Sequence, residues 1–201
     1  LQVDLLARWR EAGRPDDAGP LAEGQTYTRG SPNAWTVFSA DPALGLVFVP
    51  TGNATPDHVS MHRTPQEERY SSAVVALDAA TGKVRWHFQT TRRDIWDYDI
   101  PAQPVLFNLP MQGRDVPAVA VPTKRGEIFI LDRATGRPLT KVVDRKVPQG
   151  NVPGEKYAAT QPYSVGFPSL APAYLKESDM WGATPLDQMW CRIKYRSHDY
   201  K

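Results

Sequence analysis

From Leu46 onward the apolar positions come in short runs, each closed by Gly, Pro, Asp, Asn or Thr. Runs this short, rich in β-branched and aromatic residues and bounded by turn formers, predict strands rather than helices. They fall at Leu46–Pro50, Ala73–Leu77, Val84–Gln89, Ala118–Val121, Glu127–Leu131 and Lys141–Val143. Two regions read differently. Residues 1–12 have the spacing of a short amphipathic helix, and a Gly/Pro/Asp-rich linker follows through Gly24. Residues 148–188 are rich in Pro, Gly, Ser and Thr with little periodicity, which predicts a long ordered excursion over the surface with a short helix near Asp187. The division expected is a helix and linker over 1–24 and one all-β domain over 25–201.

One unit recurs. Ala76-Leu77-Asp78-Ala79-Ala80-Thr81-Gly82-Lys83 returns as Ile130-Leu131-Asp132-Arg133-Ala134-Thr135-Gly136-Arg137, an offset of 54 residues. The pattern describes a strand that ends in a turn. The Asp carboxylate accepts the turn amides, and Gly takes the backbone to positive φ. Hairpins repeated at this interval are the mark of a β-propeller, whose blades carry four strands each. A chain of 201 residues holds about four blades or fewer, so the ring would be incomplete. The alternative is two unrelated Asp-x-x-Thr-Gly hairpins in a sandwich.

Composition narrows the function. The 24 basic and 22 acidic residues leave a net charge of +2, far short of a basic face for nucleic acid. Glycine and proline number 14 and 19, which argues against a helical bundle. No stretch has the continuous apolar length of a membrane span. The chain starts at Leu1 and reads as an internal fragment. The single cysteine, Cys191, stands among Met189, Trp190 and Ile193 and is expected to be a buried apolar residue.

The densest chemistry lies in Arg92-Arg93-Asp94-Ile95-Trp96-Asp97-Tyr98-Asp99-Ile100-Pro101. On an extended backbone Asp97 and Asp99 would face the same side, where two carboxylates repel unless a cation lies between them or one is protonated. A hard cation such as Ca2+ is bound by such oxygens. The competing reading is a turn whose aspartates cap amides and pair with Arg92 and Arg93. Asn53 closes a strand in Pro50-Thr51-Gly52-Asn53, and Lys124 leaves one in Pro122-Thr123-Lys124-Arg125-Gly126. Taken alone, each is compatible with a turn or a solvated surface. Trp35 is either core or a stacking platform. His58 and His62 sit four apart in a polar loop, and the four histidines lack tight zinc-ligand spacing.

Taken together, Tyr27-Thr28-Arg29-Gly30-Ser31-Pro32-Asn33-Ala34-Trp35, Pro50-Thr51-Gly52-Asn53, Asp94-Ile95-Trp96-Asp97-Tyr98-Asp99, Pro122-Thr123-Lys124-Arg125-Gly126 and Asp179-Met180-Trp181-Gly182 resemble the membrane-bound quinoprotein dehydrogenases of the glucose, quinate and shikimate branch. The resemblance continues through Val147-Pro148-Gln149-Gly150, Thr160-Gln161-Pro162-Tyr163-Ser164, Asp187-Gln188 and Cys191-Arg192. It implies part of an eight-bladed propeller that holds pyrroloquinoline quinone (PQQ) and Ca2+ near its axis. It also implies ubiquinone as electron acceptor and a bacterial inner-membrane location facing the periplasm, anchored by a segment outside this chain. By the same resemblance Trp35 stacks on the PQQ ring with Asn33 beside it, and Lys124 contacts the quinone oxygens. Asn53 and Asp97 bind the metal, Asp99 is a further candidate ligand, and Asp97 is the base that takes the proton of the substrate hydroxyl. The hydride of the substrate carbon then passes to a PQQ carbonyl polarised by the metal.

Arg92 and Arg93 stand where members of this family often carry two histidines. Two fixed positive charges there suit an anionic substrate, which leans the expectation toward quinate or shikimate rather than glucose. The bland alternative is that both arginines face solvent. A non-catalytic propeller scaffold would share the Asp-x-x-Thr-Gly hairpins but would have no use for Asn53, Trp96-Asp97 and Lys124 together.

Overall fold

The computed structural model describes residues 32–61, 63–171 and 175–198. The helix and linker expected over 1–24 lie outside the described residues. The chain forms two compact units, residues 1–169 and 170–201.

In the first unit, β1 (Ser39–Asp41), β2 (Leu46–Pro50), β3 (Ala73–Asp78) and β4 (Val84–Gln89) form an antiparallel meander in that order. A short helix, α1 (Pro65–Tyr70), is inserted between β2 and β3 and opens on a capping box between Thr64 and Glu67. A second meander consists of β5 (Val105–Met111), β6 (Arg114–Pro122) and β7 (Ile128–Asp132), and a hairpin pairs β8 (Val142–Lys146) with β9 (Thr160–Ser164). The four-stranded sheet has the make-up of a propeller blade. In the second sheet the place of a fourth strand is reduced to one bridge, Leu131 with Pro138, because Pro138 has no N–H to continue the ladder.

The repeated octapeptides are the same structure twice. Asp78 Oδ1 accepts from the Ala80 and Thr81 amides at 3.1 and 2.9 Å, and Asp132 Oδ1 from Ala134 and Thr135 at 3.0 and 2.8 Å. Gly82 and Gly136 both have φ of +71°. Gly136 has a second duty. A Cβ there would come within 2.5 Å of the Trp86 ring, and the Trp86 indole N–H donates to Arg133 O at 3.2 Å. Trp86 of the first sheet thus lies across the turn of the second.

The core joins the two sheets. Leu46, Phe48, Val74, Ala76 and Trp86 of the first pack with Val119, Val121, Phe129 and Leu131 of the second and with Ile100 between them. The other face of the first sheet buries Val49, Ala73, Val75 and Leu77 under Phe38 and Tyr70. Arg133 ties the sheets at one side, reaching Asp41 at 2.7 Å and the Phe107 carbonyl at 2.6 Å. Its hydrogen bond holds the Asp41 carboxyl below the usual carboxylate range, against the opposing effect of burial.

Three strands depart from the sequence reading. β1 is only three residues long, β5 carries Pro110 and mostly half-exposed side chains, and β9 lies inside the region expected to be an excursion. The six expected runs all fall within or overlap observed strands.

The second unit contains a 3-10 turn, Glu177–Asp179, and α2 (Pro185–Ser197). Asp187 is the third residue of α2 and forms a capping box with Thr184. The helix is 13 residues long, not short, and none of its residues is buried. Cys191 is therefore half-buried rather than a core residue, because α2 leaves Leu186, Met189, Trp190 and Ile193 exposed. Tyr195 donates to the Leu175 carbonyl and Arg196 pairs with Glu177 at 2.8 Å, so the segment folds back on itself. No helix among the described residues is long and apolar enough to cross a membrane.

Candidate functional site

The link from β4 to β5 carries the carboxylates. Asp94 is fully buried. Its Oδ1 accepts the Trp96 amide at 2.9 Å, and its Oδ2 accepts the Tyr98 amide at 2.7 Å and the Ser72 hydroxyl at 2.5 Å. Burial raises its pKa, and these hydrogen bonds oppose the rise. By gripping the residues on either side of Asp97, Asp94 holds Asp97 at φ +61°. Asp is one of the few side chains that tolerate this conformation.

Asp97 and Asp99 are not on one extended strand, yet both turn to the same cation. The Lys124 ammonium donates to Asp97 Oδ2 at 3.0 Å and to Asp99 Oδ2 at 2.8 Å. Burial alone would lower the Lys124 pKa, but the hydrogen bonds to Asp99 and Asp97 outweigh it and raise it. The charge that keeps the two carboxylates together is therefore supplied by the chain. Asp99 is the buried partner. Its Oδ2 also accepts the Trp35 indole N–H at 3.2 Å, and its Oδ1 accepts the Asn53 backbone amide. Asp97 is the open one, its side chain 44% exposed. Trp35 is 54% exposed, with Lys124 Nζ 5.8 Å from its ring centroid.

Lys124 is placed by the turn after β6. The Thr123 N–H donates to the Glu127 carbonyl at 3.0 Å, the Glu127 N–H donates to the Thr123 hydroxyl at 3.3 Å, and Gly126 has φ +72°. Next to it, Arg125 donates to the carbonyls of Thr90 and Pro162 at 2.9 and 3.1 Å, pairs with Glu127 at 2.9 Å and lies over Tyr163. The turn is thereby bolted to the end of β4 and to β9.

Asn53 and Asn33 join from the other side. Gly52 donates its N–H to the Asn33 carbonyl at 2.8 Å, and a methyl at Gly52 would collide with the Asn33 side-chain oxygen and touch Asp99 Oδ1 at 3.0 Å. Gly52 is thus the residue that lets Asn33, Asn53 and Asp99 crowd together, and its place in Thr-Gly-Asn was the available signal. Asn53 itself is buried. Its Oδ1 accepts from the Ala54 amide and the Ser71 hydroxyl, and its Nδ2 donates to the Asp57 carbonyl at 2.6 Å.

The structure thus brings Asn33, Trp35, Asn53, Asp97, Asp99 and Lys124 to one place. It does not pair the aspartates with the neighbouring arginines. Arg92 forms an ion pair with Asp144 at 2.9 Å and donates to Thr160, while the Arg93 amide donates to Glu68. The His58 ring lies against the Ile95 carbonyl, burial lowers the pKa of His87, and His62 is outside the described residues.

A residue missed in the sequence lies beneath this cluster. The Arg63 side chain is completely buried, which lowers its pKa against the pull of nearby carboxylates. Its guanidinium donates to the carbonyls of Asp94, Pro56 and Asp57.

The family profile described as PQQ, the glucose/ethanol/alcohol dehydrogenase β-propeller domain, matches residues 6–201. The chain belongs to this family. Among its relatives in this PQQ propeller family is the glycerol dehydrogenase large subunit of Gluconobacter oxydans (strain 621H). It is 49% identical over 198 residues, which make up 98% of this chain and 26% of that protein. The quinate/shikimate dehydrogenase (quinone) of Acinetobacter baylyi is 45% identical over 195 residues, 96% of this chain and 24% of that one. The quinoprotein glucose dehydrogenase of Escherichia coli (strain K12) is 40% identical over 199 residues, 98% and 25%. The solved quinohemoprotein alcohol dehydrogenase ADHIIG of Pseudomonas putida HK5 superposes with a TM-score of 0.50 at 33% identity over 54% of this chain and 16% of that one. The chain spans about a quarter of the length of the curated relatives it matches.

Proposed function

We propose that this chain is part of a PQQ-dependent dehydrogenase that oxidises a hydroxyl of a polyol, cyclitol or sugar and passes the electrons to ubiquinone. The observation that carries the reading is the convergence of one open carboxylate, one buried carboxylate, an ammonium and an exposed indole face on the Asp94–Asp99 loop. Residues 25–201 are read as a partial PQQ-binding propeller domain. The parent protein is placed at a bacterial inner membrane, facing the periplasm.

The residues fit a hard cation and a flat ring cofactor. The donors are all oxygen and the pair is anionic, the preference of a hard divalent cation, here Ca2+. The ammonium of Lys124 already occupies the cation's electrostatic role. Asn53, Asp97 and Asp99 would hold the metal, and Trp35 and Asn33 would receive the cofactor ring, with Lys124 toward its oxygens. When bound, PQQ supplies a hydride acceptor and the metal supplies Lewis acidity. The chain's own contribution is positional. Asp97, open to solvent and fixed by Asp94, accepts the proton of the substrate hydroxyl. Lys124 places positive charge where negative charge develops. Asp99 holds Trp35 and the Asn53 backbone in register with that base.

The substrate class rests on relatives named for glycerol, quinate/shikimate and glucose. Asp144 neutralises Arg92, which removes one of the two charges that leaned toward quinate or shikimate. The reading is therefore the polyol class as a whole. The test is oxidation of glycerol, quinate, shikimate and glucose by the intact parent protein reconstituted with PQQ and Ca2+, using a dye acceptor. PQQ-dependent turnover that is lost in Asp97→Asn is expected. Absence of PQQ binding, with Asp97→Asn indistinguishable from wild type, would overturn the reading in favour of a non-catalytic propeller.

A further inference from the structure

We propose that Arg63 is the positioning residue that locks the Asn53 loop to the Asp94–Asp99 loop and thereby sets the affinity of the site for its cation and cofactor. The proposal rests on the reading of Asn53, Asp97 and Asp99 given above. One guanidinium spans both halves of the site. Nη1 donates to the Asp94 carbonyl, and Nη2 donates to Pro56 O at 2.9 Å and Asp57 O at 3.2 Å. Two of the three acceptors are one step from a site residue. The Asp57 carbonyl also receives Asn53 Nδ2 at 2.6 Å, and the Asp94 carboxylate holds the amides that flank Asp97.

A packing role alone does not call for a charge here. A buried guanidinium is costly unless its donors are met and its charge balanced. Its balance comes from Glu68, 3.8 Å away, whose other oxygen accepts the Arg93 amide at the start of the same loop. Arg63 and Glu68 therefore grip the Asp94–Asp99 loop at Arg93 and at Asp94, while Arg63 alone reaches the Asn53 side. The planar fork reaches carbonyls on both sides in a fixed geometry, which the single ammonium of lysine does not reproduce. Outer residues of this kind characteristically change ligand affinity by ten- to a hundred-fold.

The experiment measures binding of PQQ to the full-length parent protein by fluorescence quenching as Ca2+ is titrated, together with the melting temperature, for wild type, Arg63→Gln, Arg63→Lys and Val119→Ala. Val119 is buried in the core and absent from the site, so it calibrates lost stability alone. The expected result is apparent PQQ and Ca2+ affinities weakened about ten-fold or more in Arg63→Gln. Arg63→Lys should lie in between, and Val119→Ala should bind like wild type at a comparable melting temperature. If Arg63→Gln does not fold, Arg63→Lys carries the comparison. Wild-type affinity in whichever Arg63 variant folds overturns the proposal, as does failure of both to fold while Val119→Ala folds. A wild-type protein that binds no PQQ overturns the functional reading instead.

Discussion

Two aspartate-led loops of this chain use the same local chemistry to opposite ends. At Asp78 the carboxylate sits at the surface and accepts the amides two and three residues on, together with the Thr81 hydroxyl at 2.9 Å. The turn recurs at Asp132, and its purpose is to return the chain. At Asp94 the carboxylate is buried and accepts the amides two and four residues on, and between them it forces Asp97 into a left-handed conformation. The pKa shifts record the contrast. Hydrogen bonds from Thr81 lower that of Asp78, whereas burial raises that of Asp94. A turn that only reverses the chain is built from cheap, solvated groups. A loop that must hold one side chain in a fixed place spends stability on a buried charge.

The sharpest break in that comparison is Asp97→Asn. Asn tolerates positive φ as Asp does, so the loop is retained while the proton acceptor is lost. Turnover of the reconstituted parent protein should fall about a thousand-fold, within the span expected for a general base, with the melting temperature little changed. Asp94→Ala strikes the scaffold instead. It strands the Ser72 hydroxyl and the amides of Trp96 and Tyr98 in a buried setting, a loss of about 3 kcal/mol. Urea unfolding should register it, and turnover should fall with it because Asp97 is no longer held. A turn substitution cannot couple the two readouts in this way. Gly136→Ala costs about 2 kcal/mol, from the positive φ and from contact with Trp86. Turnover per folded molecule should stay near wild type, since Gly136 belongs to the return turn and not to the site.

Legibility in the sequence followed the same division. The turns repeat, and their Asp, Thr and Gly have fixed local duties, so the propeller hairpins could be read directly. Strands β2, β3 and β7 carry apolar runs because both their faces are packed. β5 and β9 escaped for different reasons: β5 is apolar but interrupted by Asn108 and Pro110, and β9 is polar in pattern. β5 is half-exposed and holds Pro110, while β9 buries Gln161 and Ser164, which are satisfied by the Arg92 backbone and by Glu127. In the site, Asp97, Asp99, Trp35 and Lys124 were singled out by motif, and the sequence reading left open a cation between the two carboxylates, a proton on one of them, or a turn in which they cap amides. That this cation is Lys124, 25 residues beyond Asp99, is a fact of sheet order that no local pattern contains. Arg63 was invisible for a similar reason, whereas Gly52 had a signal in its place within Thr51-Gly52-Asn53. The partners of Arg63 are backbone carbonyls, which leave no mark in residue types.

The finest test of the contrast is the sign of the pH dependence. The native pKa of Asp78 is lowered, so its contribution to stability is present above the unfolded value of about 3.9 and is lost as pH falls through the native value. The native pKa of Asp94 is raised, so its contribution is present below about 3.9 and is lost as pH rises through the native value. Unfolding free energies of wild type measured against Asp78→Asn should therefore gain with pH in a window that ends near pH 4. Against Asp94→Asn they should decline with pH in a window that starts there. The Asp78 effect should be small, a melting shift of about 2 °C or less, because water screens an exposed turn. Two curves of the same sign would mean that the Asp94 carboxylate is stabilised by its hydrogen bonds more than burial penalises it. The loop would then hold Asp97 at no electrostatic cost, and the distinction between the two aspartates would reduce to geometry.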